Sequence, residues 1–111
     1  MKRTEYGLSD DELAEIVEVI SSRVSVESAL IYGSRAKGCH RAGSDVDIAL
    51  KGAPVGHKDV LDVGYYLNEE TTLPYQFDII DYNRIDNDAL REHIDRVGRE
   101  IFRRAGTRGG Q

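Results

Sequence analysis

With 111 residues, of which 40% are hydrophobic and 32% are charged, the chain has the size and composition of a single soluble globular domain. Its formal net charge of −5 argues against a nucleic-acid duplex as the main partner, because a surface that binds polymeric phosphate is basic. A membrane span is not predicted either, since no apolar run approaches the roughly 20 residues that cross a bilayer.

The first residues, 1–8, are predicted to form a flexible, polar lead-in. They lack the apolar core of a signal peptide. The single cysteine, Cys39, has no partner for an internal disulfide, which agrees with a reducing compartment. Together these features predict a cytoplasmic protein without a membrane partner.

A first helix is predicted to begin directly after Ser9. Ser9 and Glu12 have the spacing of a capping box, in which each residue's side chain bonds the other's backbone N–H. Apolar residues then recur at helical spacing and predict the face that packs on the core. These residues are Leu13, Ile16, Val17, Ile20 and Val24.

The following segments alternate between strand-like and helix-like patterns. Apolar runs predict strands over residues 27–32, 44–51 and 75–81. A Gly- and Pro-containing break precedes a second long helix, which is predicted over residues 57–70. Its first residue, His57, has no Cys or His at metal-ligand spacing and is predicted to be solvated.

The last helix is predicted to begin at Asp86 or Asn87 and to end at Arg104. Its apolar stripe consists of Leu90, Ile94, Val97 and Ile101. His93 on the same helix is predicted to be a surface residue. The element order α-β-(short α)-β-α-β-α predicts an α/β (α+β) fold with a small mixed sheet flanked by helices. This domain covers residues 9–105 and is followed by a flexible tail, residues 106–111.

The turn after the first predicted strand has the composition of a phosphate-binding turn. Gly33 lets the backbone approach a ligand closely, and Ser34 can cap a helix or offer its hydroxyl. One helical turn follows and ends at Gly38. Because the N–H groups at a helix start point outward, this turn is a candidate anion site.

Two acids at the start of the second predicted strand complement that turn. Asp45 and Asp47 are two residues apart, so strand geometry points both carboxylates to one face. Neighbouring acids repel each other and oppose burial, whereas a hard divalent cation attracts them. Taken singly, such acids also occur on solvated strand edges, and Gly-Ser also occurs in plain turns. Their combination describes a site for a nucleoside triphosphate and a metal ion.

Gly33-Ser34, ten further residues and then Asp45-x-Asp47 together resemble the signature of the DNA polymerase beta-like nucleotidyltransferase superfamily. The small residues Ala36 and Gly38 fit the pattern between the two motifs. The likeness covers most of residues 10–104, and the short chain resembles the minimal nucleotidyltransferase branch. The resemblance implies the polymerase beta-like fold.

The resemblance also implies a third acid on a neighbouring strand. Asp78 fits this position, since it lies between Phe77 and Ile79 in a run apolar enough to be buried. Asp81 is the competing candidate. We favour Asp78, because Asp81 stands at the predicted strand end, where a turn or helix-capping role is more common.

By the same resemblance, the three acids hold two Mg²⁺ ions, which Mn²⁺ can replace, and AMP is transferred from ATP to a hydroxyl. Asp45 and Asp47 then bridge the ions, and Asp78 completes the site of the ion that activates the acceptor. The turn residues Gly33 and Ser34, with Arg35 or Lys37, are expected to hold the phosphates.

The expected acceptor lies on another protein, since the chain has no evident second domain that forms an acceptor pocket. Short members of the branch pair, as antitoxins, with a small all-helical HEPN-type toxin and AMPylate one of its tyrosines. Two alternatives stay open: an antitoxin that only occludes its partner, and transfer to a small molecule in a pocket built by dimerisation. The identity of the acceptor and the oligomeric state are not predicted.

Overall fold

The alternating apolar residues of the strand segments build a four-stranded mixed sheet in the computed structural model, which describes residues 6–106. Its strands are β1 (Ser28–Tyr32), β2 (Val46–Lys51), β3 (Phe77–Asp81) and β4 (Arg99–Arg103), in the order β3-β2-β1-β4. β1 is antiparallel to β2 and to β4, whereas β2 and β3 are parallel. The mixed sheet that the sequence predicts is therefore confirmed.

In the described part of the chain, four α-helices accompany the sheet: α1 (Asp10–Ser21), α2 (Gly33–Lys37), α3 (His57–Tyr65) and α4 (Asp88–Val97). α3 continues as a π-helical turn, Tyr66–Glu70, and a 3₁₀ turn, Tyr82–Arg84, follows β3. The predicted capping box opens α1: Ser9 Oγ accepts from the Glu12 N–H at 3.1 Å, and Glu12 Oε1 accepts from the Ser9 N–H at 2.9 Å. No helix among the described residues combines the length and hydropathy needed to span a bilayer.

Apolar side chains pack on both faces of the sheet, because successive strand residues point to opposite sides. The larger core joins one sheet face to α1 and α3, and it includes Ile16, Ile20, Ile31, Ile48, Leu50, Val63 and Ile79. The smaller core lies on the other face and is formed around Tyr32, Ala49 and Ile94, the last of which belongs to α4. Each face thus has its own helical cover.

The predicted last helix is wrong beyond Val97, where α4 ends and the backbone turns into β4. Gly98 has an extended conformation, and a Cβ at this position would lie 2.5 Å from the Ile94 carbonyl oxygen. Ile101, assigned to the helical stripe, instead packs from β4 against the larger core. The element order therefore gains a fourth strand that pairs with β1.

Two smaller differences concern the ends of α1. The sequence predicts Leu8 in the flexible lead-in, but Leu8 is fully buried in the larger core. Residues 1–5 of the lead-in and 107–111 of the predicted tail lie outside the described residues. The sequence also predicts Val24 on the apolar face of the first helix, but Val24 is 84% exposed because α1 ends at Ser21.

Arg104 ties the segment after β4 to the segment before β1. Its guanidinium donates hydrogen bonds to the carbonyls of Ser21, Arg23 and Val26 at 3.1, 2.9 and 2.9 Å. The Arg104 N–H donates to the Glu27 carbonyl at 2.8 Å. Through these hydrogen bonds Arg104 closes this end of the sheet.

Candidate active site

The Gly33-Ser34 turn joins the end of β1 to the start of α2, in direct contact with an acid of β2. Gly33 has a φ of +75°, a conformation that favours glycine. A Cβ built on Gly33 would lie 2.5 Å from Asp47 Oδ2. The turn backbone therefore lies directly against the Asp47 carboxylate, and any side chain at position 33 would clash with it.

Strand register brings Asp47 and Asp78 together. Asp47 is the register partner of Tyr32 across the antiparallel β1–β2 pair and of Asp78 across the parallel β2–β3 pair. Neighbouring strands are about 4.8 Å apart, and register partners point to the same sheet face. Both acids lie on the face that α4 partly covers, beside the Gly33-Ser34 turn.

The exposure of Asp78 differs from the prediction that it lies in a buried run. Asp78 is exposed, while its neighbours Phe77 and Ile79 are buried on the opposite sheet face. β3 is an edge strand, so this part of the face stays open to solvent. Asp78 therefore needs no internal partner and is accessible to a ligand.

Asp45 lies in the loop directly before β2, and not inside the strand as the sequence predicts. Strand alternation therefore does not fix its direction. Asp45 is exposed, yet it is near enough to Asp47 for its charge to raise the pKa of that carboxyl. The three predicted acids thus form one electrostatic group, with Asp45 at its periphery.

The electrostatics of this group oppose full ionisation. Burial, followed by the charges of Asp78 and Asp45, raises the pKa of Asp47 from 3.8 to about 6, and Arg35 lowers it by less. Burial and the charges of Asp47 and Asp78 likewise raise the pKa of Tyr32 above its ordinary value. Excess negative charge of this kind is relieved by a cation.

The residues fit a magnesium site that a substrate completes. Within residues 6–106, no group of three or more His, Cys, Asp or Glu side chains is arranged to hold a metal ion by itself. Mg²⁺, however, usually takes one or two carboxylates from the protein and fills its octahedron with waters and substrate phosphates. The oxygen-only pair Asp47 and Asp78, next to a turn that can receive phosphates, has this composition.

Arg35 occupies a structural position and does not face the turn as a phosphate ligand. Its side chain is buried, with 2% of the residue exposed. Nε and Nη2 donate to the Ser44 carbonyl at 3.2 and 2.9 Å, and Nη1 donates to the Tyr6 carbonyl at 2.9 Å. The guanidinium also lies 4.9 Å from the centre of the Tyr75 ring. Arg35 therefore supports the loop that leads to Asp45, and this arrangement does not favour its predicted phosphate-binding role.

We expect Arg35→Met to lower the free energy of unfolding by about 2–4 kcal/mol, because it leaves two carbonyls without their charged donor. Urea unfolding measures this change. Lys37→Met is the matched control, since it removes an exposed cation from the same helix and should change stability by less than about 0.5 kcal/mol. An Arg35→Met protein of normal stability that has lost ATP binding would restore the phosphate-binding role.

Asp81, the competing third acid, lies on the opposite face of β3 from Asp78. It is 8% exposed, and its Oδ1 accepts from the Asn83 N–H at 3.0 Å at the start of the 3₁₀ turn. This is the capping arrangement that the sequence favours for it. The geometry thus brings Asp78, and not Asp81, next to Asp47.

Sequence reasoning missed Tyr32 and His93 at the site. The two rings are in edge-to-face contact, with centres 6.2 Å apart. Tyr32 is buried beside the carboxylates, and His93, predicted to be a surface residue, is half-buried against it. The sequence signal that could have found Tyr32 is its position directly before Gly33. An antiparallel pairing of β1 with β2 places Tyr32 on the same sheet face as Asp47.

Solved structures share this architecture. A toxin–antitoxin structure with AMP-PNP matches with a TM-score of 0.69 and 17% identity, over 84% of this chain and 74% of that chain. A structure of tri-AMPylated Shewanella oneidensis HEPN toxin in complex with MNT antitoxin matches with a TM-score of 0.63 and 15% identity, over 83% and 70%. The toxin–antitoxin structure MntA–HepT matches with a TM-score of 0.62 and 15% identity, over 83% and 70%. At these identities the likeness establishes the fold.

The sequence itself carries the family assignment. No curated protein matches the chain. The family model of polymerase beta nucleotidyltransferases matches residues 14–106, which include the Gly33-Ser34 turn and all three acids. This match covers most of the chain, and the fold and acid cluster of the chain agree with the family. The chain therefore belongs to the polymerase beta nucleotidyltransferase family.

Proposed function

We propose that the chain is a magnesium-dependent nucleotidyltransferase that moves AMP from ATP to a hydroxyl group. One observation carries the proposal: strand register places Asp47 beside Asp78, and Gly33 is packed against Asp47. The backbone that we propose to bind phosphate and the carboxylates that we propose to bind metal therefore lie next to each other. Family membership of residues 14–106 supports the same chemistry.

Each part of the site has a role in this proposal. The backbone of Gly33 and the hydroxyl of Ser34 hold the β- and γ-phosphates, and exposed Lys37 adds a positive charge at the end of α2. Asp45, Asp47 and Asp78 would hold Mg²⁺, as two ions in the full site, and Mn²⁺ could replace it. When bound, the metal neutralises the triphosphate and lowers the pKa of the acceptor hydroxyl.

The transfer exchanges one phosphorus–oxygen bond for another. The acceptor oxygen forms a bond to the α-phosphorus, and the bond from that phosphorus to the pyrophosphate oxygen breaks. Exposed Asp78, on the open edge strand, receives the acceptor proton and later releases it to water. Tyr32 from β1 and His93 from α4 form one wall of the site.

For the acceptor we propose a tyrosine hydroxyl of a small all-helical HEPN-type toxin, with this chain as its antitoxin. The open edge at Asp78 supports an acceptor that comes from another protein. The similar structures with a tri-AMPylated HEPN toxin and with AMP-PNP support the same pair of substrates. An occluding antitoxin without activity remains the second candidate, but occlusion alone does not require acids whose charges destabilise one another.

The test uses the chain, the product of the neighbouring reading frame, and ATP labelled at either the α- or the γ-phosphate. We expect Mg²⁺-dependent label from α-labelled ATP, but not from γ-labelled ATP, on a tyrosine of the neighbour. Label on small molecules alone would exclude the antitoxin proposal. A tight complex without label would instead favour occlusion.

A second measurement tests the metal directly. Calorimetric titration with ATP is expected to show binding with Mg²⁺ and strongly weakened binding with EDTA, because the triphosphate and the three carboxylates otherwise repel each other. Binding of ATP by an Asp47→Asn variant in EDTA should exceed that of the wild type, since one repulsive charge is gone. Equal wild-type affinity with and without metal would exclude the metal-dependent site.

A further inference from the structure

The side-chain amide of Asn68 is bonded to the outer side of β3. The Phe77 N–H donates to Asn68 Oδ1 at 2.8 Å, and Asn68 Nδ2 donates to the Phe77 carbonyl at 3.0 Å. Within residues 6–106, β3 pairs with β2 alone, so its outer side has no strand as a partner. The amide therefore offers Phe77 the acceptor and the donor that a residue of a further strand would offer.

The register of β2 and β3 explains why Phe77 has both groups available. Val46 is the register partner of Phe77, and its N–H donates to the Gln76 carbonyl at 2.9 Å. In a parallel pair, a residue bonded in this way bridges the two neighbours of its partner, and the partner's own N–H and C=O point away from it. Phe77 therefore presents both groups to the outer side, and the next residue, Asp78, directs its backbone groups towards β2.

The position of Asn68 is itself fixed by the core. Asn68 lies in the π-helical turn that follows α3, and such a turn holds one more residue than an α-helical turn. Leu67, directly before it, is fully buried in the larger core, and its carbonyl accepts from Thr71 Oγ1 at 2.8 Å. Phe77 is buried in the same core. The amide of Asn68 thus joins two segments that are both anchored in the core.

We propose that Asn68 is a positioning residue for Asp78. Asp78 is the second residue of an edge strand, and its side chain is exposed. β2 holds its backbone from one side, and Asn68 holds the preceding residue from the other side. Fraying of this strand end would move the carboxylate away from Asp47, its register partner. The inference rests on the proposed function, in which Asp78 receives the acceptor proton.

The test compares Asn68→Leu with Thr71→Val in the full-length protein. Asn68→Leu keeps a side chain of similar size and loses both bonds to Phe77. Thr71→Val removes a hydroxyl that bonds the Leu67 carbonyl and the Leu73 N–H, so it weakens the same segment through bonds that do not involve β3. The two variants therefore separate a loss of stability from a displacement of Asp78.

The kinetic readout is transfer of label from α-labelled ATP. We expect Asn68→Leu to lower kcat about 10- to 100-fold, because a displacement of about 1 Å in a catalytic arrangement costs about 100-fold in rate. The KM for ATP should stay nearly unchanged, since the Gly33-Ser34 turn still holds the phosphates. Thr71→Val should lower the melting temperature and keep kcat.

Amide hydrogen exchange is a second readout, which needs no nucleotide. The N–H groups of Phe77 and Asp78 should exchange about tenfold faster or more in Asn68→Leu, and at the wild-type rate in Thr71→Val. A thermal melt checks that each variant is folded. If Asn68→Leu is unfolded, Asn68→Asp takes its place, since it keeps the acceptor for the Phe77 N–H and loses only the donor.

Three outcomes decide between the alternatives. A folded Asn68 variant with wild-type kcat, or with wild-type exchange at Asp78, would overturn the inference. An equal loss of kcat in Thr71→Val would also overturn it, because Asn68 would then act through stability alone. A wild-type protein that transfers no label, with the expected exchange in Asn68→Leu, would contradict the proposed function and still support the placement of Asp78 by Asn68.

Discussion

Replacement of Gly33 by valine is expected to abolish nucleotide transfer. The Gly33 φ of +75° is unfavourable for a β-branched residue, and its Cβ would lie 2.5 Å from Asp47 Oδ2. Either the carboxylate or the turn must move, and a displacement of about 1 Å in a catalytic arrangement costs about 100-fold in rate. The measurement is label transfer from α-labelled ATP, together with a thermal melt.

The chain offers a matched control for this variant at the other end of α2. Gly38 has a φ of +79°, yet a Cβ there would meet nothing within 4 Å. Gly38→Val thus introduces the same backbone strain, about 1–3 kcal/mol, without the contact to Asp47. It should lower the melting temperature and leave transfer largely intact. Ser34→Ala, which removes one hydroxyl, should reduce transfer less than Gly33→Val. Normal transfer by Gly33→Val would mean that the turn does not hold the nucleotide.

Asp47→Asn is expected to eliminate transfer and to leave the metal-free protein equally stable or more stable. The amide is a poor ligand for a hard cation, so metal-induced stabilisation should disappear together with activity. Removal of one charge from a group of mutually repelling acids should raise the free energy of unfolding by on the order of 1 kcal/mol at neutral pH. Melts of both proteins with EDTA and with Mg²⁺-ATP measure these effects.

The pH dependence of this difference follows from the pKa of Asp47, which is about 6 in the folded protein against an ordinary value of 3.8. Between these values the folded protein binds more protons than the unfolded chain, so wild-type stability falls as the pH rises. The Asp47→Asn variant does not lose stability in this way. The difference in free energy of unfolding between the variant and the wild type should therefore be absent below pH ~4 and complete above pH ~6. A variant that is destabilised without metal but still transfers nucleotide would contradict the active-site assignment.

Asp59 provides a control in which the pKa of the carboxyl group is shifted in the opposite direction. Hydrogen bonds from the Ser25 hydroxyl and the Gly56 N–H, followed by those from Arg23, lower the pKa of Asp59 below its ordinary value. Its ionised form thus stabilises the fold above the ordinary pKa, and this contribution disappears as the pH falls. Asp59→Asn should lower stability at neutral pH, and the difference from wild type should vanish in acid. If the stability differences of the two variants from wild type have opposite signs at neutral pH, Asp47 is a carboxylate whose charge destabilises the fold and Asp59 is one whose charge stabilises it.

The sequence predicts the centre of the site because its signals are local. Gly33, Ser34 and Asp47 lie in one short segment, and a turn followed by a strand has few geometries. Their roles as ligands stay predictions, but the structure brings these residues together. Asp78 required the family resemblance, because only the parallel pairing of β2 and β3 places it beside Asp47.

Tertiary context decides what the sequence could not predict. Ile101 follows Val97 at helical spacing, so the sequence predicts one continuous helix here and not β4. In the structure α4 ends at Val97, and Gly98 directs the backbone into β4. Arg35 is predicted to bind phosphate because it directly follows the turn. Its actual partners are the backbone carbonyls of Tyr6 and Ser44. A pattern of side-chain types does not reveal hydrogen bonds to backbone carbonyls elsewhere in the chain. The contact of Tyr32 with His93 likewise depends on how α4 crosses the sheet.

The sheet order has a consequence for how the protein is made. β1 is the first strand within residues 6–106, but one of its two neighbours, β4, is the last described strand to leave the ribosome. Until then the N–H and C=O groups of one side of β1 have no strand to pair with, and an open edge of this kind attracts other chains. Pairing over so long a sequence separation is also slow. Arg104 is synthesised directly after β4 and bonds back to the carbonyls before β1, so these contacts can form only after β4 has been made.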